Sequence, residues 1–193
     1  MITIVNVNES WGIGKDNDLL ANFPEDMKYF REKTRGKIIV CGLNTLKSYP
    51  GMKPLKGRIN IVLTEALDMI PMESIKACDC YVDDLAKASD TAFMTTPGAT
   101  VMIAVTNLYD LLDIVSLFNG DDVFVCGGAS VYRLLLPYCD KALITINDCK
   151  READTFFPDL TKEEGWELSN EGELLESTTG IKYRFNTYTN KNA

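Results

Sequence analysis

Short, nearly uninterrupted apolar runs recur along this chain of 193 residues, several of them followed by a glycine or a helix-forming stretch. Residues 2–7, 37–42, 58–64, 101–105, 122–126 and 142–146 read as strands. They lack the strict polar alternation of a half-wetted sheet, so most of them are expected to be buried on both faces, as in parallel sheets covered by helices. Helical patterns at 24–34, 43–48, 107–118 and 129–136 alternate with the runs, with apolar positions at Leu108, Leu111, Leu112 and Val115 in the third. Residues 173–188, with Thr179-Gly180 between the arms, read as a terminal hairpin. The pattern predicts a single α/β domain in three layers: a central, mostly parallel twisted sheet, an antiparallel C-terminal hairpin, and helices on both faces. Residues 8–23, broken by Gly12 and Gly14, read as a loop, and residues 65–100, without clear periodicity, as a surface insertion.

One carboxylate conflicts with this pattern. Pro24 suits a first helical turn and Gly36 stops the helix that follows. Met27, Phe30 and Thr34 then share one side, and Asp26, four residues before Phe30, lies on that mostly apolar side. Glu25, Lys28 and Glu32 fall opposite and can pair in water. A carboxylate facing the interior is costly unless something needs it. Acids also favour first turns through the helix dipole, so on this feature alone both readings stand.

Composition removes several chemistries. The chain has no histidine, which excludes Ser-His and Cys-His catalysis and mixed Cys/His metal sites. A net charge of -8 without a basic cluster argues against nucleic acid. No apolar run is long enough to span a membrane, and Met1-Ile2-Thr3 leads directly into a strand pattern, which reads as no signal peptide. Cys41, Cys78, Cys80, Cys126, Cys139 and Cys149 show no zinc spacing and read as reduced thiols in a cytoplasmic protein. A second chemical signal is Val125-Cys126-Gly127-Gly128-Ala129-Ser130-Val131-Tyr132, where a buried strand meets two glycines and a helix. It can cradle a pyrophosphate, or be a plain tight turn, and it is not the three-glycine dinucleotide fingerprint.

Taken in order, these pieces resemble dihydrofolate reductase over nearly the full chain. Ile4-Val5-Asn6-Val7 is similar to the family's first strand, and Trp11-Gly12-Ile13-Gly14-Lys15 to its active-site loop. Leu19-Leu20 precede the Pro-x-Asp helix of Pro24 to Phe30. Gly42-x-x-Thr45-x-x-Ser48 resembles the cofactor helix start, and Pro54-Leu55-Lys56-Gly57-Arg58-x-Asn60 the folate-arginine segment. The glycine pair at Gly127-Gly128 and the late Asp154-Thr155-Phe156-Phe157-Pro158 complete the match.

The resemblance implies reduction of 7,8-dihydrofolate to tetrahydrofolate by hydride transfer from NADPH, with NADH left open, in support of one-carbon and thymidylate metabolism. It implies a monomer with no nucleic-acid or membrane partner. Asp26 would hold the pterin's 2-amino group and N3, with Thr145 supporting it by a hydrogen bond and water carrying the proton to N5. Arg58 would grip the α-carboxylate of the folate glutamate. Ile4, Val5, Met27, Phe30, Tyr49 and Leu55 would line the pterin and benzoyl pocket, with Cys126 and Tyr132 near the nicotinamide. The cofactor would meet Asn6, Ile13, Gly14, Leu19, Gly42, Leu43, Asn44, Thr45, Leu63, Thr64, Glu65, Gly127, Gly128, Ala129, Ser130, Val131 and Tyr132.

Three departures stand out. Many relatives carry Pro and Trp where this chain has Leu20 and Ala21. Asn6 replaces a small apolar residue and needs a partner for its side chain. Leu43, Glu65 and Ser130 stand where NADPH-dependent relatives place basic or hydroxyl residues, which predicts a weakened NADPH preference unless Lys47 or an inserted lysine restores the charge. Two rivals stay open: a fold-related pyrimidine reductase of riboflavin synthesis, which lacks the Pro-x-Asp helix, and a non-catalytic folate- or nucleotide-binding module.

Overall fold

The computed structural model describes residues 1–84, 87 and 98–192. In chain order its elements are β1 (Ile2–Asn8), β2 (Gly12–Lys15), β3 (Asp18–Leu19), α1 (Pro24–Thr34), β4 (Ile38–Gly42), α2 (Leu43–Ser48), β5 (Ile59–Leu63), α3 (Met72–Lys76), β6 (Cys80–Val82) and β7 (Val101–Val105). There follow α4 (Leu108–Ser116), β8 (Val123–Val125), α5 (Ala129–Leu135), β9 (Lys141–Asn147), β10 (Thr155–Phe156), β11 (Trp166–Asn170), β12 (Leu175–Glu176) and β13 (Lys182–Asn190). The strand–helix alternation and the mostly parallel pairing match the α/β expectation. Two compact units divide the chain: Met1–Lys33 with Tyr132–Ala193, and Thr34–Val131.

The second unit carries the parallel strands β8, β4, β5, β7 and β6 in that spatial order. Ile39, Val40 and Cys41 of β4 and Ile61 and Val62 of β5 are fully buried, which explains why these strands read as continuous apolar runs. The exception is Asn60, buried within β5. Its Nδ2 donates to the carbonyls of Leu55, Arg58 and Val101 at 3.1, 3.0 and 3.0 Å, and its Oδ1 accepts from the Leu55 amide at 2.8 Å. Its two N–H protons are shared among three carbonyls and its oxygen takes one amide, and together these four bonds staple the 54–58 loop to β5. Asn60→Ala is expected to cost about 2–4 kcal/mol in urea unfolding, because buried backbone groups lose their partner.

The segment read as a surface insertion lies partly outside the described residues, at 85–86 and 88–97. Its described part carries α3 and β6, and Ile70, Ser74 and Val82 are buried. Here β6 pairs with β7 in parallel.

In the first unit β1 and β9 run parallel, with Asn6 opposite Thr145, and β13 is antiparallel to β9. The hairpin expected at 173–188 is present, but its first arm is only β12, two residues paired to β13. A further partner of β13, β11, carries no apolar run, and four of its five side chains are exposed. The stretch 8–23 is not a plain loop: β2 pairs with β3 and with β10 in a small antiparallel sheet. Gly12 is required there, since a Cβ would sit 2.4 Å from that of Ala153. The Asp154–Phe157 stretch pins this sheet. The Asp154 carboxylate accepts from the Asp16 amide at 2.8 Å, the Asp154 amide donates to Gly14, and the Phe157 amide donates to Trp11. Trp11 in turn stacks on Phe157, with ring centroids 6.2 Å apart.

Glu25 does not simply pair in water, as expected for the outer side of α1. It accepts from the Ser177 hydroxyl at 2.6 Å and the Thr178 amide at 3.2 Å, tying α1 to the terminal hairpin, and these bonds hold its carboxyl below the usual value. Lys28 and Glu32 do pair, at 3.9 Å and largely exposed. Met27, expected on the inward side, is exposed, whereas Thr34 is fully buried.

Candidate active site

Asp26 stands in the first turn of α1, which Pro24 opens. Its carboxylate accepts from Asn6 Nδ2 at 3.0 Å and is hydrogen-bonded by Thr145. Burial raises its pKa, and those two hydrogen bonds pull the other way. Tyr29, one turn on in α1, has its own pKa raised by burial and by the Asp26 charge. Tyr183 is raised by burial, with Glu25 and Asp26 adding to it. The first unit therefore brings together Asp26, Asn6 and Thr145 from α1, β1 and β9. Ile4 and Val5 are buried in the same strand as Asn6, and the Tyr132 hydroxyl donates to the Ile4 carbonyl at 2.9 Å.

Leu20 and Ala21, which depart from the family pattern, are both buried. The Leu20 amide donates to Ile13 at 3.0 Å, and Ala21 packs with Phe23 and Tyr183. Gly14 pairs with Leu19 across the small sheet, and Leu19 is exposed. Phe30 is half-buried.

In the second unit the glycines converge. The Gly42 amide donates to the Gly127 carbonyl at 2.8 Å. A Cβ on Gly42 would lie 3.2 Å from Val131 Cγ2, and one on Gly128 3.4 Å from Thr45 Oγ1. The starts of α2 and α5 thus meet where bare backbone is approached closely. Leu43 and Ala129 are half-buried, and Asn44 and Ser130 are exposed. At the end of β5, Leu63 and Thr64 are half-buried and Glu65 is exposed. Thr64 Oγ1 accepts from the Ala66 amide at 3.1 Å.

Arg58 is buried in the same unit. Its Nε donates to the Thr34 carbonyl at 3.0 Å and Thr34 Oγ1 at 3.1 Å, and its Nη1 to the Lys56 carbonyl at 2.8 Å. Three bonds through Nε and Nη1 fix the plane of the guanidinium. Tyr49 and Leu55 are half-buried nearby in sequence, Tyr49 packing on the cluster that holds Cys41. The Arg58 charge reaches Cys126, whose thiol burial pushes well above its ordinary value.

Asn60, quoted from the sequence only as the end of the folate-arginine segment, positions the Arg58 loop. Asn147 was missed: it positions Asn6, and nothing local to its sequence points there.

A family model described as dihydrofolate reductase matches residues 1–114 and 93–190. The chain belongs to the dihydrofolate reductase family. It is 34% identical to a dihydrofolate reductase of Bacillus subtilis over 182 residues, covering 94% of this chain and 89% of that protein. The reductase of Neisseria gonorrhoeae is 27% identical, with 95% and 93% covered. A bifunctional dihydrofolate reductase-thymidylate synthase of Glycine max is 29% identical over 96% of this chain, which spans 32% of that longer protein. Among solved structures, dihydrofolate reductase from Enterococcus faecalis complexed with NADP(H) and RAB-propyl superposes with a TM-score of 0.69 at 26% identity, covering 98% of this chain and 95% of that one.

Proposed function

We propose that this protein reduces 7,8-dihydrofolate to 5,6,7,8-tetrahydrofolate with hydride from a reduced nicotinamide cofactor, and that it does so as a cytoplasmic monomer. The observation that carries the reading is Asp26, a half-buried carboxylate in a first helical turn, held by a threonine and an asparagine side chain. An anionic acceptor fixed in this way matches the paired N–H donors of the pterin 2-amino group and N3. Binding there orients the ring and polarises it, while a water molecule delivers the proton to N5. Arg58, its plane set by Thr34 and Lys56, presents a fork suited to the glutamate α-carboxylate. All six cysteines are free thiols, and no helix among the described residues is long and apolar enough to cross a membrane.

The second unit fits a dinucleotide. Gly42, Gly127 and Gly128 bring bare backbone to one place, and a Cβ on Gly128 would lie 3.4 Å from the Thr45 hydroxyl. These residues would hold the cofactor, which when bound supplies the hydride. Exposed Glu65 would repel a 2′-phosphate and would accept from a ribose hydroxyl instead.

The reading is tested by following the reduced-nicotinamide absorbance on adding dihydrofolate. Activity is expected, and its absence with both NADPH and NADH refutes the proposal. Glu65→Lys is expected to raise kcat/KM for NADPH about tenfold relative to NADH, since one reversed charge near a phosphate is worth about 1.4 kcal/mol or more. Steady-state kinetics with both cofactors check this.

A further inference from the structure

Asn6 is a polar residue in a buried parallel strand, and its side chain is fully engaged within the first unit. Nδ2 donates to Asp26 Oδ2 at 3.0 Å and to the Ala21 carbonyl at 3.4 Å, while Oδ1 accepts from Asn147 Nδ2 at 2.7 Å. Asn147 is 2% exposed and is itself held at both ends. Its Oδ1 accepts from the Cys149 amide at 2.8 Å, and its Nδ2 also donates to the Val7 carbonyl at 2.8 Å.

The polarity of this chain of bonds follows from its backbone ends. A backbone amide only donates and a backbone carbonyl only accepts. The Cys149 amide therefore requires an oxygen from Asn147, and the Val7 carbonyl requires a nitrogen. With Asn147 fixed, its nitrogen faces Asn6, so Asn6 must offer oxygen there and nitrogen toward Asp26. The N–H aimed at the acid is imposed by main-chain groups at Val7 and Cys149, on strands β1 and just beyond β9.

We propose that Asn6 is a positioning residue for Asp26: backed by Asn147, it aims a fixed N–H donor at one carboxylate oxygen, setting the acid's orientation and favouring its ionised form for pterin binding. This rests on the reading of Asp26 as the pterin anchor. It also assigns the Asn6 side chain to the acid rather than to the cofactor, which could meet only its backbone. Thr145 hydrogen-bonds the same carboxylate, and the groups facing it are Tyr29 and Tyr183, both pushed up in pKa, with Glu25 adding to Tyr183. These phenols stay neutral while Asp26 titrates, so the Asn6 donor opposes the burial that favours the protonated acid.

The test is a carboxyl-13C NMR titration of the ligand-free protein, with Asp26→Asn to assign the resonance, beside the pH profile of kcat/KM for dihydrofolate. Asn6→Ala is expected to move the Asp26 midpoint, and with it the acid limb of the profile, upward by about one pH unit, the effect of one charge-assisted hydrogen bond. Asn6→Asp keeps the shape but exchanges donor for carboxylate, and is expected to move both further. KM for dihydrofolate should rise more than KM for the cofactor. Should neither variant fold, the wild-type protein still decides the matter: the Asn6 side-chain amide protons must shift with the same midpoint as the Asp26 carboxyl. Amide resonances indifferent to that titration, or folded variants that titrate as wild type, overturn the proposal. The NMR arm needs no turnover, so a protein inert toward dihydrofolate refutes the functional reading alone.

Discussion

Asp26→Asn lowers kcat/KM for dihydrofolate at neutral pH by about 10²-fold or more, measured by nicotinamide oxidation, while leaving the fold intact by circular dichroism. The amide keeps the shape of the acid but loses its charge, and one of its two polar atoms becomes a donor. Set against two N–H groups of a pterin, it can satisfy only one and opposes the other. Stability should move the opposite way. Burial holds Asp26 above its ordinary value of 3.8. Between 3.8 and that raised value the folded chain keeps a proton that the unfolded chain has released. Stability therefore falls as pH rises through this window, and the loss persists above it. Asp26→Asn lacks this titration, so its urea midpoint should lose that decline with rising pH and exceed that of the wild type at neutral pH. A variant that keeps near-normal turnover would refute the role assigned to Asp26.

Arg58→Lys should raise KM for dihydrofolate by about 10²-fold with a smaller change in kcat, because a bidentate, pre-oriented fork becomes a mobile point charge. A substrate analogue lacking the glutamyl group serves as control, and its KM should be unchanged. Equal losses for both substrates would show that Arg58 acts through the fold instead. Some destabilisation is expected in any case, since the Thr34 and Lys56 carbonyls lose a buried donor. Urea unfolding separates that cost from the binding defect.

The strands β4, β5, β7 and β8 were legible because burial on both faces demands apolar side chains throughout. Helix α1 was legible from Pro24 and the spacing that follows it. The small sheet of β2, β3 and β10 was not, since strands of two to four residues with glycines carry no hydrophobic period. They exist because Gly14 meets Thr155. The edge strand β11 escaped notice because four of its five residues are exposed. Glu25 was misread for a related reason: its partners, Ser177 and Thr178, lie on the terminal hairpin, far along the chain.

Residue order was enough to mark Asp26 as an acid on the wrong side of its helix and, through the motifs around it, to assign a family and a reaction. Local spacing sets which face of a helix a side chain takes, and that information is written in a few adjacent residues. What secures the acid is a different kind of fact. The bond from Asn6 joins β1 to α1, and the one from Asn147 joins β9 back to β1 across 141 positions of sequence. Such contacts come from strand register, in which Asn6 lies opposite Thr145 and the two asparagines fall one residue either side of a shared layer. Register is a property of the packed sheet, so the donor aimed at Asp26 became visible only once the strands were in place.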